Sequence, residues 1–178
     1  MKNKARMSAK ERILRMVMVA LFCALAFAVM PLFRINVVFL TFDIKDAIIT
    51  IGGLLFGPVA AVVISAVTAL LEFVTIGDTG VYGLLMDFVS SASFAVVAAL
   101  IYRFRRDLLG AVIGLVAAVL SMTAFMLGMN LIVAPLFAPE VYTREVVMAM
   151  LPTLILPFNL TKAVLNAALV MILYKPVS

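Results

Sequence analysis

The chain has 178 residues, a formal net charge of +5, 66% apolar and 13% charged residues, and a mean hydropathy of +1.26. Ordinary soluble domains are roughly 45–50% apolar and about 25% charged, so a soluble fold and a disordered chain are both excluded and an integral membrane protein remains. With no His, no Trp, one Cys and no G-x-x-x-x-G-K-[ST] string, the sequence also excludes an internal disulfide, a Cys/His zinc site, histidine acid–base catalysis and a P-loop.

The first apolar run, residues 13–33, follows a basic stretch carrying Lys2, Lys4, Arg6, Lys10, Arg12 and Arg15. It is too long for a signal-peptide core and lacks a clear small-x-small cleavage site, so it reads as a retained first helix. Cys23 within it reads as a small packing residue. Ala20, Ala24 and Ala28 recur every fourth residue and form a small-residue stripe. Such stripes allow close helix approach, either within the chain or against another membrane subunit.

Residues 34–45 (RINVVFLTFDIK) read as a semi-polar outer loop in which Phe39, Thr41, Phe42 and Asp43 offer aromatic and polar groups. Asp43 and Asp46 read either as polar groups of the site or as caps of the next helix, and for Asp46 the capping reading is the better of the two. The run 46–73 is interrupted at Gly52-Gly53 and at Gly57-Pro58. One kinked helix there gives five spans, and a break at Gly57-Pro58 gives six, with Pro58 suited to the first turn of a new helix. Further runs are 81–102, 108–137 and 146–174, the last containing Pro152 and Pro157.

Charge counting separates the two topologies. With a cytoplasmic N-terminus, six spans place Arg103, Arg105, Arg106 and Lys175 on the same side as the basic tail, collecting ten of the fourteen Lys and Arg. The expectation is an all-α integral membrane protein forming one domain over 1–178. It has six transmembrane helices, both termini cytoplasmic, a basic cytoplasmic tail over 1–12 and an outer loop over 34–45. The second helix is short and must tilt or cross only part of the way. The positive charge fits a membrane surface rather than a nucleic acid.

Polar residues inside apolar runs are costly and invite functional readings. With Pro157 as the first helical residue of the last span, Asn159, Lys162 and Asn166 share one face. Lys162 either snorkels to headgroups or, with its two Asn neighbours, faces a polar solute. Asn130 reads equally as interhelical glue or as a ligand contact. Glu72 reads as near an outer end and able to reach water, and neither it nor Asp87, Ser90, Ser91 and Ser93 receives a role.

Three strings then stand together: FLTFDIKDAIITIGGLLFGPVAA, TGVYGLLMDFVSSASFAVVAALIYR and PFNLTKAVLNAALVMILYK. They resemble the riboflavin-specific S components of energy-coupling factor (ECF) transporters, and the resemblance runs from about Ala20 to the C-terminus. It implies a six-helix domain, with no catalytic activity and no cofactor, that binds riboflavin as transported substrate in a pocket open to the outside and capped by the first loop. It also implies association with a transmembrane T component and two ATP-binding subunits in the plasma membrane of a prokaryote. By the same resemblance Ala20, Ala24 and Ala28 meet the T component. Asn130, Asn159 and Lys162 hold the flavin ring, and the loop contributes Phe39, Leu40, Thr41 and Asp43. The family string there resembles F-L-K-Y-D, so Thr41 and Phe42 depart from it. Competing readings are an S component for another vitamin or for FMN, an intramembrane enzyme, and a channel.

Overall fold

The computed structural model describes residues 8–77 and 79–177, and it is mostly helical. Lys2, Lys4 and Arg6 of the basic tail, Asp78 and the Lys175 side chain lie outside the described set. Helix α1 (Ala9–Val29) starts at a capping box: the Ser8 hydroxyl accepts from the Glu11 N–H while the Glu11 carboxylate accepts from the Ser8 N–H. This satisfies two of the amide groups left open at a helix start. A single 3₁₀ turn, Pro31–Phe33, follows.

The expected loop over 34–45 holds a β-hairpin instead. Strand β1 (Ile35–Val37) pairs antiparallel with β2 (Leu40–Phe42), with Asn36 opposite Thr41. Its tight turn places Val38 at φ 59°, a left-handed conformation that β-branched residues seldom adopt. Lys45, read as the end of that loop, is the first residue of α2 (Lys45–Phe56).

The long apolar run breaks at Gly57, which takes φ 94°, and α3 (Pro58–Thr75) begins with proline in its first turn. Next come α4 (Gly80–Phe104) and α5 (Leu108–Phe137), then α6 (Arg144–Met150), a π-helical turn (Leu151–Ile155) and α7 (Leu156–Val177). The last three pieces are contiguous, so Pro157 does not open the final helix. It is the second residue of α7, and the π turn precedes it. Prolines 152 and 157 each remove a backbone donor there, which favours re-registering the ladder over ending it.

Among the described residues, five helical stretches are long and apolar enough to cross a membrane: Ala9–Phe33, Pro58–Thr75, Gly80–Phe104, Leu108–Phe137 and Arg144–Tyr174. Helix α2, with 12 residues, covers only about 18 Å. It packs against α1, α3, α4 and α7 and buries eight of its residues, Lys45 and Asp46 among them. Outward faces carry side chains such as Val59, Val74 and Leu120, at 72%, 77% and 65% exposure, as expected where lipid is the solvent.

The core is lined by small residues that let helices approach. A β-carbon added at Gly53 would lie 2.9 Å from the Ala61 Cβ, and one at Gly114 would lie 2.9 Å from the Ala98 carbonyl oxygen. Gly53→Val therefore forces α2 away from α3. Overpacking of this kind costs about 1–3 kcal/mol, to be read as a lower melting temperature in detergent. A melting point equal to wild type would show that α2 has slack at this contact. Cys23 is buried with Ala26, Ile49, Ala61, Ile64 and Ala95, the packing role expected of it.

Candidate functional site: a cavity beneath the hairpin

A cavity opens between the hairpin and the ends of α3, α4 and α7. Its polar lining comes from Arg34, Thr41, Glu72, Asp87, Ser90, Asn159 and Lys162; Leu40, Phe73, Leu84, Met86, Met126 and Phe158 supply apolar walls. A few placed polar groups on apolar walls is the usual composition of a small-molecule site.

Behind this lining lies a buried ion network. The Lys45 Nζ, fully buried, donates to Glu72 Oε2 at 2.5 Å and to Asp87 Oδ1, and stands 3.7 Å from Asp43 Oδ2. The Lys162 Nζ donates to Asp43 Oδ2 at 3.0 Å and to the Thr41 carbonyl at 3.3 Å, and lies 3.7 Å from Asp46 Oδ2. Arg34 closes the set, its Nη1 3.4 Å from Glu72 Oε1. Each cation meets a carboxylate, as buried charge requires.

Asn166 reinforces the same junction. Its side-chain amide donates to the Asp43 and Lys162 carbonyls, and its oxygen accepts from the Ala47 N–H. The start of α2, which lacks a side-chain cap on its N-cap residue Ile44, is thus completed by α7. The Asp43 Oδ1 also accepts from the Lys45 N–H at 3.2 Å, a local capping contact.

Several expectations change here. Asp46 does not cap α2; its Oδ1 accepts from the Ser91 hydroxyl at 2.5 Å, because α4 and α7 enclose that turn. Glu72 does not reach out to water, since its side chain is 12% exposed and committed to Lys45 and Arg34. Lys162 does not snorkel: it is 5% exposed and held by Asp43.

The structure brings Leu40, Thr41, Asn159 and Lys162 to one cavity. It places Asp43 directly behind Lys162 rather than in the lining. Phe39 packs against Tyr142 with the rings tilted by 60° and their centroids 4.6 Å apart, away from the cavity lining. Asn130 is fully buried in α5; its amide donates to the Met126 carbonyl, while its Oδ1 has no donor among the described residues. Met126 itself lines the cavity, so Asn130 stands one helical turn from it. Ala20, Ala24 and Ala28 are exposed on α1. Sequence reasoning missed Lys45. The signal was present as two acids, Glu72 and Asp87, in separate apolar runs with no basic residue beside either.

The arrangement is a hairpin-capped cavity within a bundle of helices long and apolar enough to cross a membrane. Comparison with known proteins gives the class. Residues 14–174 match the family model described as "ECF transporter, substrate-specific component", and the chain belongs to that family. It is 26% identical over 170 residues to the riboflavin transporter RibU of Staphylococcus aureus (strain TCH60), covering 90% of this chain and 88% of that one. A solved structure of the S component of a bacterial ECF transporter superposes with a TM-score of 0.77 at 27% identity, covering 93% of this chain and 96% of the other.

Proposed function

We propose that the chain is the riboflavin-binding subunit of an ECF importer, with six membrane-embedded helices and both termini cytoplasmic. In this reading it takes the vitamin from the outer face and delivers it together with a T component and two ATP-binding subunits. The observation that carries the reading is the convergence of Asn159 and Lys162 of α7 with Leu40 and Thr41 of the hairpin on one cavity. The similarity to RibU supports the choice of vitamin. Riboflavin has a flat apolar ring and an imide-like edge that needs both donors and acceptors, which an amide and an ammonium supply. Asn130, with its unfilled acceptor, is the third ring contact of this proposal. Ala20 and Ala24 line an apolar furrow between α1 and α3, and in this reading that face meets the T component.

The charged residues of the lining comprise two cations, Arg34 and Lys162, and two anions, Glu72 and Asp87. Both cations already have carboxylate partners. A phosphate ester carrying close to two negative charges finds no surplus cation there. FMN is therefore expected to bind about 10-fold or more weakly than riboflavin. Fluorescence quenching titrations of the purified protein test both statements. Riboflavin bound and quenched at lower concentration than FMN, and ahead of a panel of other vitamins, is the expected result. A different vitamin raising the melting temperature while riboflavin is not quenched would overturn the assignment.

A further inference from the structure

A second concavity lies at the end of the molecule where α1 starts, α2 gives way to α3 and α4 ends. Arg15, Arg103 and Arg106 line it together with Tyr102, over a floor of Leu14, Met18, Leu54, Leu55, Val59 and Ala99. None of the three arginines has a carboxylate within 4 Å among the described residues, whereas the neighbouring Arg105 is paired with Asp107 at 2.8 Å. Glu11 also lines the concavity, one of its oxygens accepting from the Ser8 N–H, and its single negative charge leaves the three arginines in excess. Arg15 is fixed in place by donating to the Phe56 carbonyl at the end of α2. The guanidinium has five donors, so this bond leaves most of its fork for another acceptor.

The concavity does not stop at the arginines. Arg15 and Val59 also belong to the furrow between α1 and α3, which continues through Val19, Cys23, Val63, Val67 and Leu71. From Val59 to Leu71 that furrow runs about 18 Å along α3. A cationic head with an apolar trough leading away from it is complementary to an amphiphile with an anionic head. Arginine suits the head because its fork matches phosphate geometry. Tyr102 in the lining is of the residue type enriched at membrane–water interfaces.

We propose that this arginine-headed furrow is a binding site for one anionic phospholipid, its phosphate on Arg15, Arg103 and Arg106 and an acyl chain along α1 and α3. The site is separate from the cavity under the hairpin. It overlaps the Ala20 and Ala24 face, so lipid and a partner helix compete for the furrow.

Native mass spectrometry of the full chain in neutral detergent, titrated with phosphatidylglycerol, phosphatidylcholine or inorganic phosphate, tests this. One phosphatidylglycerol is expected to stay bound at a concentration about 10-fold below that needed for phosphatidylcholine, and to raise the wild-type melting temperature further. Arg103→Gln with Arg106→Gln removes the preference; Arg105→Gln, at a residue already paired with Asp107, keeps it. Val63→Trp, which fills the trough without changing charge, weakens retention of both lipids. Equal retention of the two lipids by the wild type overturns the proposal. So does a preference that survives the double substitution, or displacement of the lipid by inorganic phosphate, which would mark a bare anion site. A double variant that loses assembly with a partner module yet keeps phosphatidylglycerol assigns the arginines to that partner and also overturns it.

Discussion

Lys45→Met lowers the melting temperature of the detergent-solubilised protein more than any other single substitution named above. The side chain is fully buried and its ammonium holds Glu72, Asp87 and, at 3.7 Å, Asp43. Methionine preserves the length of the side chain and removes the charge. Three carboxylates contributed by α3, α4 and the segment before α2 then face one another with only Arg34 and Lys162 at the margins. Removing one partner of a buried ion pair costs about 3–5 kcal/mol, and here one cation serves several anions. Adding Glu72→Gln and Asp87→Asn to Lys45→Met is expected to recover part of the loss, because the uncompensated charges disappear with their counterion. A melting temperature within a degree or two of wild type for Lys45→Met would falsify the network as a structural element.

Lys162→Met is expected to act on two readouts at once. Its ammonium lines the cavity and also ties α7 to the hairpin through Asp43 and the Thr41 carbonyl. Loss of a charged hydrogen bond to ligand costs about 1.5–3 kcal/mol, which is roughly a 10- to 150-fold weaker riboflavin affinity. Loss of the tether also lowers the melting temperature. Asn159→Ala separates these effects. Among the described residues the Asn159 amide donates only to the Ile155 carbonyl of its own helix, so this change weakens binding with little effect on unfolding. Equal affinities for Lys162→Met and wild type would remove Lys162 from the ligand contacts. A normal melting temperature beside lost affinity would make Lys162 a ligand contact alone.

Much of this architecture was readable before any coordinates, for reasons that differ by element. The apolar runs announce membrane helices because lipid forces every backbone group to be satisfied within the segment. Gly57-Pro58 announces the α2–α3 break because φ 94° suits glycine and the first helical turn tolerates proline. Asn159 and Lys162 were legible because their polarity is local and their spacing is helical. The hairpin was not: its strands have three residues each, and its turn carries Val38 and Phe39 rather than the Asn and Gly that usually mark such turns. The π turn was hidden because proline normally signals a helix start or stop. Lys45 was hidden for a different reason. Its partners Glu72 and Asp87 are 27 and 42 residues away in sequence, and a charge beside two aspartates at the edge of a loop looks solvated until three other helices are placed around it.

The depth of α2 carries a consequence for how the protein is made. A 12-residue helix beginning with Lys45 and Asp46 is too short for a hydrocarbon core of about 30 Å. Each of those charges adds roughly 2.5–3.5 kcal/mol to insertion near the centre of a span. Lipid alone offers this segment no stable resting place. The groups that neutralise it arrive later in synthesis: Glu72 on α3, Asp87 and Ser91 on α4, and Lys162 and Asn166 on α7, the last two 119 residues beyond their partners Asp43 and Ala47. The partners of Lys45 are complete once α4 has been made, whereas Asp43 and the Ala47 N–H wait for Lys162 and Asn166 of α7, so the start of the second helix is expected to be fully satisfied only when the last helix joins the bundle.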